Sequence, residues 1–231
     1  MIIANLEWPK IKGEEVAKAL NMKKMIFLND FASNGYGILS SIKEGKDFIK
    51  INNNPVDPNG PIAMIGAGTG LGHGYIVKNE DSKYHSVYPS EGGHQDFSPK
   101  TDLEVRYMKF LQNHFKIERI SLERACSGPS LRLIFSFFIA EGVKSDLFPE
   151  AHRENFAIEN EAIIKYGLSG ECQVSKSTID FFNAIYGSAA GNICLIVIPT
   201  GGLYLLGGLS YALESHITEK QIFIVGCFFF N

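Results

Sequence analysis

The sequence carries no strong excess of charge of either sign. Its 231 residues hold 22 Lys and Arg against 25 Asp and Glu, a formal net charge of −3. Proteins that grip nucleic acid through a basic face need the opposite balance. Cysteine is sparse: Cys126, Cys172, Cys194 and Cys227 lie far apart, with no Cys-x-x-Cys pair. That spacing reads as reduced cytosolic thiols, not a disulfide framework. No His/Cys cluster has the spacing of a zinc site. Long hydrophobic runs are missing too. Residues 193–206 are interrupted by Pro199, Gly201 and Gly202, and Ile222–Phe230 is too short to span a bilayer. The opening MIIANLEWPK lacks the basic region, apolar core and cleavage site of a signal peptide. Together these absences predict a soluble, cytoplasmic protein that binds neither membrane nor nucleic acid. Repeats and low-complexity tracts are absent as well.

Glycine, by contrast, is concentrated. In PIAMIGAGTGLGHGYIVK, from Pro61 to Lys78, every second residue from Gly66 to Gly74 is glycine. The apolar runs Ile62–Ile65 and Tyr75–Val77 flank it. Two short strands joined by such a turn form a hairpin. Glycines that reach φ > 0 let the turn present a row of backbone N–H donors to an anionic group, above all a phosphate. Thr69 adds a hydroxyl to the row. The same spacing also fits a plain glycine-rich β-turn. It is neither of the familiar phosphate loops. No Gly-Lys-Ser/Thr follows, Gly-x-Gly-x-x-Gly fails in every register, and both of those motifs open a helix.

In chain order, Gly13–Asn21 reads as a short helix with Val16 and Leu20 one turn apart, and Lys24–Leu28 as a brief buried strand. Asn29-Asp30 follows directly, and Phe31–Ser40 resumes a helical pattern with Phe31, Tyr36 and Leu39 inward. Asp30 therefore sits between a strand end and a helix start. This is where open α/β sheets bind ligands, and equally where Asn or Asp caps a helix. Residues 42–60, polar and holding Pro55 and Pro58, read as a loop and domain boundary. SEGGHQDFSP places Glu91 and His94 about Gly92-Gly93, with Asp96 close by. The glycines let both side chains turn toward one small polyol, the carboxylate accepting from hydroxyls and the imidazole donating or accepting. Glu-x-x-His supplies only two metal ligands, so no metal site is expected.

Thr101–Phe115 is the clearest helix, with Thr101 and Glu104 as a capping box and Leu103, Tyr107, Phe110 and Leu111 on one face. A second helix over Pro129–Glu141 buries Leu131, Ile134, Phe135 and Phe138 and stops at Gly142. A third runs from Asn160 to Tyr166 and stops at Gly167. A fourth opens with the cap pattern at Ser177-Thr178 and continues to Ile193. Leu203–Leu206 is a strand leading into a second glycine turn at Gly207-Gly208.

LNDFASNGYG from Leu28, GAGTGLG from Gly66, EGGHQDF from Glu91, LERACSGPSL from Leu122, AAGN from Ala189 and GGLYLLGG from Gly201 stand in that order along almost the whole chain. Together they resemble the bacterial-type glucokinases, within the hexokinase and actin-like ATPase fold. The resemblance implies an α/β, two-domain architecture of the ribonuclease H-like kind. Residues 1–60 would be a remnant of the small domain and residues 61–231 the large α/β domain. It further implies ATP-dependent phosphorylation of glucose at the 6-hydroxyl, with Mg²⁺, in a cytoplasmic homodimer. Asp30 would be the catalytic base. Asn29, Glu91, His94 and Glu123 would hold the other sugar hydroxyls. Gly66, Gly68, Thr69 and Gly70 would cradle the ATP phosphates, and Gly207 and Gly208 would line the adenosine site. Family members open with a strand pair carrying Asp-x-Gly-Gly-Thr, and nothing like it precedes Asn29. GCFFFN is not a family ending either. These departures predict a chain truncated at both ends with an incomplete small domain. A sugar-binding or regulatory role without catalysis is the alternative.

Overall fold

A computed structural model describes residues 11–44, 48–79, 84–153 and 156–220. The opening decapeptide, the Ile222–Phe230 run and Cys227 lie outside the described residues.

The hairpin is built as the glycine run suggests. Strands β1 (Ile62–Ala67) and β2 (Leu71–Lys78) pair antiparallel, Ala67 opposite Leu71, around the tip Gly68-Thr69-Gly70. The strands reach further into the glycines than the apolar runs predict: Gly66, Gly72 and Gly74 belong to the ladder. Close packing, not turn geometry, requires glycine there. A Cβ on Gly72 would run into the Phe31 ring, one on Gly74 would come within 2.8 Å of the Met64 methyl carbon and 3.2 Å of that ring, and one on Gly66 would come within 3.0 Å of Leu206. None of the glycines from Gly66 to Gly74 adopts the positive φ expected of the turn.

Two more strands complete the sheet. β3 (His85–Ser90) pairs antiparallel with β2, and β4 (Leu203–Leu206) pairs parallel with β1, giving the order β3-β2-β1-β4. No strand is expected over β3 from the sequence. Pro89 obscures it, since proline is tolerated in a sheet only at an edge, which is where β3 lies. Across the β2–β3 pair Tyr75 and Tyr88 stack with ring centroids 5.1 Å apart.

β1 is buried along its whole length because both faces of the sheet are covered. Ile62 and Met64 point to one side with Ile76, Ile65 and Ala67 to the other with Leu71. The first side is covered by helix α2 (Asp30–Glu44). Its inward face is Phe31, Ala32, Gly35, Ile38 and Leu39, the three- and four-residue spacing of a helix stripe. Tyr36, expected inward, falls off that stripe and is 47% exposed. At Gly35 a Cβ would strike Val87 and lie 3.2 Å from the Met64 sulfur, so the helix lies close upon the sheet. Before it, α1 (Gly13–Ala19) buries Ala17, whereas Leu20 is exposed. Residues 24–28 pair with no strand among the described residues, and Ile26 and Leu28 are exposed, contrary to the buried strand expected. A short apolar run specifies burial only where a neighbour receives it.

The larger core lies on the other side. It is formed with α3 (Asp102–Phe115), α4 (Leu122–Ala125), α5 (Gly128–Ala140), α6 (Asn160–Ser169), α7 (Gln173–Val197) and α8 (Gly208–Ala212), which leads into α9 (Glu214–Lys220). At the start of α3 the Thr101 hydroxyl accepts from the Glu104 N–H at 3.2 Å, and the Glu104 carboxylate accepts from the Lys100 N–H at 2.5 Å, one residue upstream of a strict capping box. α5 buries the residues expected of it and ends before Gly142, at φ +87°. Gly167 does not stop α6. It lies inside the helix at the crossing with α7, where a Cβ would come within 2.8 Å of the Ser175 carbonyl; Gly170, at φ +76°, is the cap. α7 starts before the Ser177-Thr178 pattern, and the Thr178 hydroxyl donates back to the Val174 carbonyl at 2.8 Å instead of capping. By length and composition α7 could cross a membrane; here it packs against α5 and α6 as the central core helix.

Candidate functional site

Parallel pairing of β1 and β4 brings their carboxyl ends side by side, with Gly66 opposite Leu206. The two glycine turns, Gly68–Gly70 and Gly207-Gly208, therefore share one edge of the sheet, the edge at which open α/β sheets bind ligands. Gly207 has φ +87°, and a Cβ there would run into the Ala67 carbonyl, so only glycine allows β4 to turn into α8 beside β1. The Tyr186 hydroxyl holds this junction, 3.2 Å from the Ile65 carbonyl and 2.8 Å from Ser210 Oγ, which donates to the Leu206 carbonyl at 2.7 Å. Burial raises the Tyr186 pKa, so the phenol stays neutral. Positions Gly68 and Gly208 face open space, with no atom within 4 Å of where a Cβ would stand. Gly66, expected in the cradle, is buried in β1 and backs the turn instead of lining it.

The tip is held at both shoulders, by α4 on one side and by the first residue of α5 on the other. Glu123 Oε2 accepts from the Leu71 N–H at 3.0 Å, and a Cβ on Gly70 would collide with that carboxylate. On the other shoulder the Gly128 N–H donates to the Gly68 carbonyl at 2.7 Å. Within the tip the Gly68 N–H donates to the Gly70 carbonyl at 2.9 Å. The expected row of donors thus reduces to the Thr69 and Gly70 N–H groups and the exposed Thr69 hydroxyl.

Next to the tip, Gly92–His94 forms a single 3-10 turn. Glu91 and His94 flank it on the same side, Nε2 and Oε2 3.6 Å apart and both side chains largely exposed. The glycines again serve close approach. A Cβ on Gly93 would strike the Leu71 carbonyl, and one on Gly92 the imidazole of His73 beneath it. His73 is 4% exposed, and burial lowers its pKa from 6.5 to about 4, so it is neutral at physiological pH. Its Nε2 has no hydrogen-bond partner among the described residues. Asp96 makes its ion pair with a different residue. It pairs with Arg119 at 2.5 Å, and Arg119 also donates to the His94 carbonyl at 2.5 Å. Backbone bonds from Phe97 to Ile120 (2.9 Å) and from Leu122 to Gln95 (2.8 Å) tie this loop to α4, the helix that carries Glu123.

Asn29 and Asp30 complete the edge. The Phe31 ring lies on Gly72 and Gly74, which sets the first turn of α2 beside the start of β2. Asn29 Oδ1 caps the helix, accepting from the Phe31 N–H at 2.9 Å and the Ala32 N–H at 3.1 Å. Asp30 Oδ1 shares the Phe31 N–H at 2.9 Å, and the residue is exposed. The cap anticipated for this pair is therefore made chiefly by Asn29, whose amide N–H₂ is left for other partners. His73, Arg119, Gly128 and Asn160, which support the site from behind, were not singled out from sequence. Of these only His73, a histidine inside a glycine run, carried a local signal.

A mixed sheet ordered β3-β2-β1-β4, with helices on both faces and glycine turns at one edge, is the core of the actin-like ATPase sugar kinases. The crystal structure of a glucokinase from an Antarctic psychrotroph superposes on 92% of the chain with a TM-score of 0.72 and 26% identity, over 62% of its own length. The sequence model of the glucokinase family matches residues 1–224. A glucokinase of Nostoc sp. is 35% identical over 219 residues, and one of Synechocystis sp. is 34% identical over 235 aligned positions, covering 90% and 97% of this chain. The chain belongs to the glucokinase family. It spans 63% and 65% of the length of these two relatives.

Proposed function

We propose that this edge binds glucose and ATP and transfers the γ-phosphoryl group to the sugar 6-hydroxyl. The observation that carries the reading is convergence. The Gly68–Gly70 tip, Glu123, the Glu91–His94 turn, the Gly207 junction and the start of α2 come from five stretches of chain, yet all meet at one end of the sheet.

In this reading Glu91, His94, Glu123 and the Asn29 amide hold sugar hydroxyls, which fixes the 6-hydroxyl beside Asp30. The Asp30 carboxylate takes the hydroxyl proton while O6 forms its bond to the γ-phosphorus. The bond from that phosphorus to the bridging oxygen breaks, and ADP leaves. Thr69 and Gly70 meet the phosphates, backed by Gly66 and Gly68, and Gly207 and Gly208 border the adenosine. Among the described residues no group of three or more His, Cys, Asp or Glu is placed to hold a metal. Mg²⁺ would then arrive as part of the nucleotide substrate, held mainly by phosphate oxygens and water, its usual mode in such enzymes. Residues 1–60 form the smaller unit, with α2 as its contact to the sheet. The protein works in the cytoplasm, where ATP and reduced thiols prevail; Cys126, Cys172 and Cys194 are buried and form no disulfide among the described residues. It assembles as a homodimer.

The test is calorimetric titration of the 231-residue chain with glucose and with Mg²⁺–AMPPNP, beside a coupled assay for glucose 6-phosphate. Saturable heats for both ligands and ATP-dependent product are expected. Glucose heat alone would leave sugar binding without catalysis, and no glucose heat would refute the reading.

A further inference from the structure

Behind the glycine tip a second line of support begins in α6. Asn160 is the first residue of that helix, yet it does not cap it: the N-cap is Glu159, and no side chain caps the helix. Asn160 instead points its amide at the neighbouring helix, where Nδ2 donates to the Gly128 carbonyl at 2.9 Å. The reverse orientation of the amide would set two carbonyl oxygens against each other, so the chemistry fixes which atom faces Gly128. Gly128 opens α5 and passes the contact forward, its N–H donating to the Gly68 carbonyl at 2.7 Å. No larger residue fits between them. A Cβ on Gly128 would stand 2.7 Å from the Gly68 carbonyl oxygen and 3.8 Å from Asn160 Nδ2. The first turn of α5 is locked at the same point, because Ser130 Oγ accepts from the Ser127 N–H at 2.8 Å and donates to the Ser127 carbonyl at 2.7 Å.

Asn160 holds this contact at a cost. Its Oδ1 is buried without a partner among the described residues. An orphaned buried acceptor is destabilising, and in a native structure it calls for an explanation. Here the donor half of the amide supplies one, since it completes the relay that fixes the Gly68 carbonyl.

We propose that Asn160 is a positioning residue for the nucleotide-binding turn, acting through Gly128 on Gly68. The proposal rests on the reading of that turn as the ATP-phosphate site. Asn160 touches neither sugar nor phosphate. It sets how firmly the tip is held from the α5 side, while Glu123 holds the other shoulder and also serves the sugar. Losing the Asn160 donor therefore loosens only the nucleotide half of the site.

The experiment compares wild type with Asn160→Ala and Asn160→Asp in the full chain. Aspartate is nearly isosteric but cannot donate, and it serves if the alanine variant folds poorly. Calorimetry measures Mg²⁺–AMPPNP and glucose separately, and thermal melts are recorded alongside. Both variants should bind Mg²⁺–AMPPNP about 3- to 10-fold more weakly, the effect of one hydrogen bond lost behind the turn. Glucose affinity should stay at the wild-type value. The Gly128 amide should also exchange with solvent faster in Asn160→Asp. Unchanged nucleotide affinity, or equal losses for nucleotide and glucose together with a fallen Tm, would overturn the proposal and leave Asn160 a tie between α5 and α6. A wild-type chain that binds glucose but not Mg²⁺–AMPPNP would overturn both the proposal and the nucleotide half of the reading beneath it.

Discussion

His73 makes the stability of this protein depend on pH in a way that can be calculated. Its imidazole lies under the Glu91–His94 turn, 4% exposed, and burial lowers its pKa from 6.5 to about 4. The folded state therefore favours the neutral ring, while the unfolded chain takes up a proton near pH 6.5. Between these values the unfolded state binds more protons, so stability rises with pH across the window. The stabilisation is fully present above pH 6.5, falls away as pH drops toward 4, and changes no further below that. At 1.36 kcal/mol per unit, a shift of this size corresponds to a loss of about 3 kcal/mol across the window. That is a large part of the 5–15 kcal/mol typical of a folded domain. The perturbation is His73→Gln, which removes the titration and keeps a polar side chain of similar length. Urea unfolding followed by circular dichroism at pH 7, 5.5 and 4.5 gives the stability of both proteins. The wild type should lose about 2–3 kcal/mol more than the variant between pH 7 and 4.5. Parallel curves would refute the argument, because the loss would then belong to other groups.

Other consequences are simpler to read. Asp30→Ala should lower turnover in the glucose 6-phosphate assay by about 10²–10⁴, the contribution of a positioned general base, with glucose affinity nearly unchanged; unchanged turnover would remove Asp30 from the mechanism. Glu91→Gln and Glu123→Gln should each weaken glucose binding by about 1–3 kcal/mol, as measured by calorimetry. Glu123→Ala should in addition lower the Tm below that of Glu123→Gln, because glutamine can still accept from the Leu71 N–H and alanine leaves it unpaired. Gly207→Ala should destabilise the fold by more than about 1 kcal/mol in chemical denaturation, since alanine pays for left-handed φ and also meets the Ala67 carbonyl.

The sequence alone determined what depends on a few neighbouring residues. The hairpin about Gly68–Gly70 and the helices over Asp102–Phe115 and Gly128–Ala140 follow from periodicity, caps and turn residues within one or two turns of chain. The glycine-rich tip, the Glu91–His94 turn and Asn29-Asp30 were legible as candidate site pieces for the same reason. Tertiary structure decided the rest. Gly72 and Gly74 read as turn residues until Phe31, from the other side of the domain boundary drawn in sequence, is seen lying on them. Gly167 read as a helix stop until α7 is seen to cross it. Lys24–Leu28 read as buried, but apolar character cannot supply the neighbour that would cover it. Nothing local to Glu123 joins it to the glycine tip, and its bond to Leu71 spans 52 positions in the chain. Nothing local to Asn160 or Arg119 points to the turns they support. Propensity and capping act through bonds to the next few residues, whereas burial, close approach and convergence on one sheet edge exist only once distant segments have packed together.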